Sequence, residues 1–130
     1  MGARAAVILA LAPAALGAQT LDCQAPQTQI EMTGCAAQAH AKADAALNAA
    51  YRLAVAQARR MDAGQPGLTP SNEDMLRDAQ RAWIPYRDKA CASESTLARG
   101  GSMQNQLFYL CLERLTQDRT RDLTLFGEVR

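Results

Sequence analysis

The stretch AQRAWIPYRDKAC, residues 79 to 91, contains the chain's only tryptophan, a proline, two arginines and a cysteine. Trp83 and Tyr86 are three residues apart, a spacing that places both rings on one face of a helix. Such residues could form a recognition hot spot or belong to the scaffold. We favour the scaffold, because large aromatic residues at helical spacing usually supply core area. Pro85 lacks a backbone N–H and therefore predicts a kink near Ile84.

The helix that carries this stretch is predicted to begin at Thr69 or Ser71. Thr69 is suited to the N-cap, with Pro70 at the first helical position, where its missing N–H costs nothing. Glu73 and Asp74 then lie in the first turn, where the helix dipole favours negative charge. The apolar face is predicted to consist of Met75, Leu76, Ala79, Ala82, Trp83 and Tyr86.

A longer helix is predicted upstream, from Gln27 to about Met61, because this segment has no proline and only one glycine, Gly34. Its apolar residues recur at steps of three and four, and the predicted core stripe is Met32, Cys35, Ala39, Ala43, Ala46, Ala50 and Leu53. Residues 62–69 contain two glycines and a proline, which is typical of a linker.

A second stripe on the first helix consists of Asp44, Asn48 and Tyr51. We expect the charged residues of the opening stretch, Arg81, Arg87 and Asp88, to pair with the polar members of this stripe. An arginine can bridge such groups with two parallel hydrogen bonds. These residues are therefore predicted to be a structural motif that joins the two helices.

The segment after Cys91, SESTLARGGS, has no periodicity, and Ser102 is predicted to be the N-cap of a third helix. This helix is expected to direct Leu107, Phe108, Cys111, Leu115 and Leu123 to the core. The chain shows no internal repeat and no strand-like alternation. The predicted fold is all-α: a small bundle of three helices, or alternatively four, with a long first helix and two disulfides.

The four cysteines, Cys23, Cys35, Cys91 and Cys111, allow three disulfide pairings. We favour Cys23 with Cys35 and Cys91 with Cys111, each of which closes a loop worth about 3 kcal/mol in the chain-entropy model. A zinc site is disfavoured, because no C-x-x-C pair is present and His40 lacks ligand-like spacing. No metal and no cofactor are predicted.

The N-terminus predicts export. Arg4 precedes the apolar run AAVILALAPAALGA, which is short for a membrane span and ends in small residues. We predict a signal peptide over residues 1–18, cleaved after Ala18 or alternatively Gly17, and a single helical domain over 19–130; an uncleaved N-terminal anchor is the alternative. Cys23 is not preceded by the small residues of a lipoprotein site. No membrane anchor is therefore expected after cleavage, and the protein is predicted to be periplasmic or secreted.

The charge balance argues against polyanionic partners. Without Arg4, the 14 basic residues become 13 and equal the 13 acidic residues, so nucleic acid and anionic membranes are not expected partners. Catalysis also lacks support, because His40 is the only candidate base and is expected to be solvent-exposed. The acidic pair Glu73 and Asp74 is explained by the helix start. The chain is therefore predicted not to be an enzyme.

Five motifs together resemble a known family: TQIEMTGCA (28–36), AD..LN..Y (43–51), AQRAWIPYRDKAC (79–91), GGS (100–102) and CLERLTQDRTRDL (111–123). In order and spacing they are similar to the DUF1311 family, the LprI-type lysozyme inhibitor N-terminal domain. The resemblance runs from about Cys23 to Leu123. It implies an exported bacterial, all-helical, disulfide-bonded domain whose named member inhibits lysozyme. That member has a lipid anchor, which we do not expect in this chain.

Lysozyme cuts glycosidic bonds with two carboxylates in a cleft, so an inhibitor could insert a loop that offers donors to those acids. The loop between Cys91 and Cys111 is the candidate, with Arg99 and Ser102 as its donors. The simpler interpretation is that two glycines form a turn there and Ser102 only caps a helix. The family resemblance implies lysozyme or a related wall-cleaving enzyme as the expected partner. The alternative function is a small structural or stress-related periplasmic protein that binds another partner.

Overall fold

Three α-helices make up most of the computed structural model, which describes residues 21–128. Helix α1 spans Gln29–Gly64, α2 spans Asn72–Ser95 and α3 spans Gln104–Glu128; a short 3-10 helix, Thr96–Ala98, follows α2 directly. These described residues contain no strand, and α1 is the longest helix, with 36 residues. The all-α prediction with three helices is confirmed. The predicted signal peptide, residues 1–18, lies outside the described residues.

Helix α1 begins with a capping box. The Thr28 hydroxyl accepts a hydrogen bond from the Glu31 N–H at 3.1 Å, and the Glu31 carboxylate accepts from the N–H groups of Thr28 at 2.9 Å and Gln27 at 2.7 Å. The hydrogen bonds from the Gln27 and Thr28 backbones lower the pKa of Glu31. This reciprocal cap satisfies donors that the first turn would leave free. The helix therefore starts two residues after the predicted position, and it ends at Gly64 rather than Met61.

Helix α2 begins after Ser71, the second of the two predicted starts. Ser71 is the N-cap, and its hydroxyl accepts a hydrogen bond from the Asp74 N–H at 3.1 Å. The alternative, with Thr69 as the cap and Pro70 at the first helical position, is wrong, because both residues precede the helix.

The last residues of α1 contact the first residues of α2 through hydrogen bonds and an ion pair. The Asp62 carboxylate accepts hydrogen bonds from the backbone N–H groups of Asn72 at 2.7 Å and Glu73 at 3.1 Å. The Glu73 carboxylate in turn pairs with Arg59 of α1 at 2.8 Å. These contacts place the C-terminal end of α1 beside the N-terminal end of α2. Helix α2 therefore runs antiparallel to α1.

Both predicted disulfides, Cys23–Cys35 and Cys91–Cys111, are confirmed. Helix α3 runs parallel to α1: the Gln29 amide donates to Gln106 at 2.8 Å near the start of both helices, and Gly127 lies against Ala54 near the other end. Helices α1 and α3 form the most extensive contact of the bundle. The beginning of α1 and the loop before α3 thus lie at the same end.

The buried stripe of α1 consists partly of residues other than the predicted ones. Ala43 and Ala50 are buried as expected, but Ala46 is exposed and Leu53 is 65% exposed. The buried residues of α1 are Ala36, Ala43, Leu47, Ala50, Ala54, Gln57 and Ala58. Four of them, Leu47, Ala50, Ala54 and Ala58, pack in one cluster with Leu76 of α2 and Leu123 of α3. Alanine is small enough to let these helices approach closely, so α1 and α3 share a thin core.

The predicted apolar face of α2 is largely wrong. Leu76 is buried and Trp83 packs against the core, but Tyr86 is 64% exposed, and Met75, Ala79 and Ala82 are exposed as well. The buried positions are Leu76, Gln80, Arg87, Cys91 and Ser95. They are separated by four or seven residues and so define one face of the helix, which carries the polar side chains of Gln80 and Arg87. Pro85 is exposed within α2, which continues through it to Ser95; the kink stays a prediction.

Helix α3 contributes the expected residues to the core. Cys111 and Leu123 are buried, and Leu107, Phe108 and Leu115 are half-buried. Two further buried residues, Leu112 and Thr116, were not predicted. The N-cap assignment of Ser102 is wrong, because α3 begins two residues later, at Gln104.

Candidate binding surface at the tip of the bundle

The loop between α2 and α3 is fixed to the bundle by a buried disulfide. Cys91 and Cys111 are 0% and 1% exposed, so the bond lies inside a small apolar cluster with Leu112. The loop begins with the 3-10 helix Thr96–Ala98, and the Ala98 carbonyl accepts a hydrogen bond from the Gly101 N–H at 2.9 Å. The backbone is therefore held at both ends of the short turn.

The glycine turn itself is tied to the first residue of α3. Gly100 has a φ of +78°, the left-handed region that glycine adopts without strain. Its N–H donates a hydrogen bond to the Gln104 side-chain oxygen at 3.0 Å, and the Gln104 N–H donates to Gly101 at 3.2 Å. The predicted glycine turn is thus present, and these hydrogen bonds fix its backbone conformation.

Exposed apolar side chains surround this turn. We define the tip surface as Ile30, Leu97, Arg99, Ser102 and Met103. Ile30 is 83% exposed, Leu97 84% and Met103 48%. Ser102 lies beside Ile30, because a shallow depression of about 270 Å³ is lined by Gln29, Ile30, Thr33, Ser102 and Asn105. The tip surface thus combines the start of α1 with the loop before α3.

Arg99 is the cation of the tip surface. Its side chain is exposed and makes no ion pair or side-chain hydrogen bond with any residue in the described range 21–128. A guanidinium without a partner offers five donors in a planar fork that suits a carboxylate. Exposed Leu97 and Met103 belong to the same segment, so a protein that covered this surface would bury apolar area around the charge.

The predicted motif residues meet elsewhere, around Arg87, which is only 9% exposed. The Arg87 guanidinium donates to Asp44 of α1 at 3.3 Å, to Asp88 at 2.9 Å and to Thr116 of α3 at 3.3 Å. Its central carbon lies 5.1 Å from the centroid of the Trp83 ring. We call these five residues the Arg87 node. The node links all three helices through hydrogen bonds from Nε and Nη1 of Arg87, which agrees with the predicted structural role.

The other predicted motif residues lie outside the node. Arg81 is exposed and faces Asp78 at 3.9 Å rather than α1, so its expected pairing with α1 is wrong. Asn48 donates to Asp44 at 3.2 Å, and Tyr51 packs against the main core. Tyr86, expected in the core, is exposed. Of the predicted pairs between α2 and α1, only the hydrogen bond from the Arg87 guanidinium to Asp44 is therefore present.

His40 is not the solvent-exposed residue that we predicted. It is half-buried, its ring centroid lies 6.4 Å from that of Tyr109, and its Nδ1 is buried without a hydrogen-bond partner among the described residues. Burial lowers the pKa of His40, and the charge of Arg87 lowers it further, against the opposing effect of Asp44, Asp88 and Glu113. These surroundings therefore favour the neutral form of the ring.

Within residues 21–128, no three His, Cys, Asp or Glu side chains are placed to hold a metal ion. No helix within the same range has the length and apolar character needed to cross a bilayer.

The sequence predicts Arg99 and Ser102, both of which are exposed, but it does not predict the apolar part of the tip surface. Ile30 and Leu97 are isolated aliphatic residues near helix ends, and nothing in the periodicity separates them from core residues. Their exposure follows from the direction of the first turn of α1 and of the 3-10 helix, which only the assembled bundle reveals.

Comparison with known proteins gives a consistent family assignment. The model of the family described as lysozyme inhibitor LprI matches residues 22–123. A relative, an uncharacterized protein of Rhizobium meliloti (strain 1021), is 42% identical over 105 residues, covering 78% of this chain and 76% of the relative. No solved structure matches. The matched range contains both disulfides and nearly all of the three helices.

Proposed function

Because the chain belongs to the LprI lysozyme inhibitor family, we propose that it is an exported bacterial envelope protein that binds and inhibits lysozyme. The family match over residues 22–123 carries this proposal. The two disulfides support an oxidising compartment, the periplasm or the exterior, after removal of residues 1–18 as a signal peptide. The inhibitor acts by binding, without catalysis or a cofactor, and a related wall-cleaving enzyme is an equivalent target.

The tip surface is the proposed contact with the target. Lysozyme places two carboxylates in its cleft, and Arg99 can donate to one of them. The exposed side chains of Leu97 and Met103 would pack against the apolar walls around it. The Cys91–Cys111 disulfide supports this role, because a loop held before binding loses less conformational entropy in the complex.

Inhibition of cell-wall lysis by purified lysozyme tests the proposal. The oxidised protein should slow the clearing of a bacterial wall suspension in a dose-dependent way. Arg99→Ala should weaken inhibition by about tenfold or more, since truncation of an interface arginine that meets a carboxylate costs on the order of 2 kcal/mol. Leu97→Asp should act in the same direction, because it places a charge within the apolar part of the contact.

Matched substitutions away from the tip surface serve as controls. Arg81→Ala removes an exposed arginine of α2, and Leu125→Asp alters an exposed leucine near the far end of α3. Both should inhibit like the wild type. Equal potency of Arg99→Ala and Arg81→Ala would reject the tip surface as the contact, and absence of inhibition by the wild type would reject the function itself.

A further inference from the structure

A groove runs between α1 and α3 on the side of the bundle that α2 leaves uncovered. It consists of two depressions, of about 390 Å³ and 380 Å³, which share Ala39 of α1 and Glu113 of α3 as lining residues. No α2 residue lines either depression. None of their lining residues belongs to the tip surface or to its depression, so the groove is a separate feature.

The walls of the groove are mostly apolar. The first depression is lined by Cys23, Pro26, Met32, Cys35, Ala36, Ala39, Gln106, Leu110 and Glu113. The second continues along α1 past Ala43 to Ala46. Leu110 is 43% exposed at the α3 edge, and Leu53 is exposed two helical turns beyond Ala46. Much of the stripe that the sequence predicts to face the core therefore faces this open groove instead.

The two walls carry opposite charges at the same level. Lys42 of α1 and Glu113 of α3 line the same depression. Neither forms an ion pair with another residue of the described range, and the Glu113 carboxylate accepts a hydrogen bond only from the Gln117 amide, at 3.0 Å. One face thus presents an apolar strip with an unpaired cation on one edge and an unpaired anion on the other.

A surface with these properties is complementary to itself. We propose that the α1/α3 groove is the interface of a two-fold symmetric homodimer, in which Lys42 of each copy pairs with Glu113 of the other. An isologous interface uses the same patch on both subunits, so each pair occurs twice. A foreign partner would have to supply both charges independently, whereas a second copy supplies both from the residues already present.

The charges also select the direction of the symmetry axis. An axis parallel to the helices stacks α1 of one copy on α3 of the other and brings Lys42 to Glu113. An axis across the helices would stack α1 on α1 and bring like charges together, which is unfavourable. The parallel axis leaves both tip surfaces at the same end of the dimer, since each copy keeps the same direction along the bundle.

Charge reversal provides the test, because it predicts a distinct result for mixtures. The purified oxidised wild type should sediment as a dimer in analytical ultracentrifugation. Lys42→Glu and Glu113→Lys should each raise the dissociation constant by about tenfold or more, since each replaces two attractive pairs by two repulsive ones. An equimolar mixture of the two variants should form a heterodimer, in which both pairs are attractive again.

Lys89→Glu is the matched control, because Lys89 is an exposed lysine on α2 and lines neither depression. It should leave the dimer unchanged, and circular dichroism should show the same helix content in all variants. A wild type that stays monomeric at about 1 mM would overturn the proposal and leave the groove to a foreign partner. A dimer that Lys42→Glu weakens no more than Lys89→Glu does, or a mixture that fails to associate, would overturn it equally.

Discussion

Truncation of Arg87 should destabilise the whole bundle, because its side chain links three helices. Arg87→Ala leaves the fully buried Thr116 hydroxyl without its donor, at a cost of about 1–3 kcal/mol. It also removes the contact with the Trp83 ring, worth about 0.5–2 kcal/mol. The pairs with Asp44 and Asp88 add less than about 1 kcal/mol each, since both carboxylates are roughly half-exposed. Together these terms give an expected loss of about 1.5–7 kcal/mol.

Urea denaturation of the oxidised protein, followed by circular dichroism, measures this loss as a change in the free energy of unfolding. Arg81→Ala is the control, because Arg81 is largely exposed and forms a long ion pair of 3.9 Å with Asp78. Its effect should stay within about 0.5 kcal/mol. Arg87→Lys should fall between the two, because an ammonium keeps the charge but lacks the fork. If Arg87→Ala costs no more than Arg81→Ala, the node does not hold the helices together and the reasoning is refuted.

Two further predictions concern titration and helix capping. The pKa of His40 is lowered by burial and by Arg87, so the unfolded chain binds this proton more tightly. The contribution of His40 to the free energy of unfolding is therefore fully present above the unfolded pKa of about 6.5 and is lost as the pH drops through that value. In urea titrations, His40→Asn should reduce the loss of stability between about pH 7.5 and 5.5. An unchanged dependence of stability on pH would contradict this. Asp62→Ala removes the acceptor for the first N–H groups of α2 and should cost about 1–2 kcal/mol. Asp78→Ala, an exposed change within α2, should alter the thermal midpoint little, and equal shifts for the two variants would show that the cap is unimportant.

The helices, the linker and both disulfides could be predicted from the sequence, whereas the buried face of α2 could not. Gln80 and Arg87 are polar residues, and periodicity arguments assign such residues to the surface. Each is buried because it has a specific partner: Arg119 donates to Gln80 at 3.0 Å, and Arg87 donates to Thr116 and to Asp44. Such pairing depends on side chains brought together from distant parts of the chain. The periodicity therefore assigns Met75 and Tyr86 to the core instead of Gln80 and Arg87.

The core stripe of α1 illustrates a different limit. Alanine occurs around much of the helix, so two adjacent stripes satisfy helical spacing almost equally well. The stripe through Leu47 and Ala54 is buried, while the one that ends at Leu53 borders the groove. The side that α2 covers decides between them, and that choice is a tertiary property. At the candidate binding surface, Arg99 and Ser102 were predicted because the loop is short, glycine-rich and enclosed by two cysteines, and their binding role stays a prediction.

The parallel course of α1 and α3 separates the two ends of the described chain. Leu21 lies beside Gly34, near the start of α1, while Glu128 ends α3 at the opposite end of the bundle. The residues of α1 beside these two ends, Gly34 and Ala54, are 20 residues apart, which is about 30 Å along the helix, so the two ends are far apart. An affinity handle or surface tether fused at the amino terminus would hold the tip surface against its support. Immobilisation through the carboxyl terminus would instead point that surface toward solution, which is the orientation that a sensor experiment with the target enzyme requires.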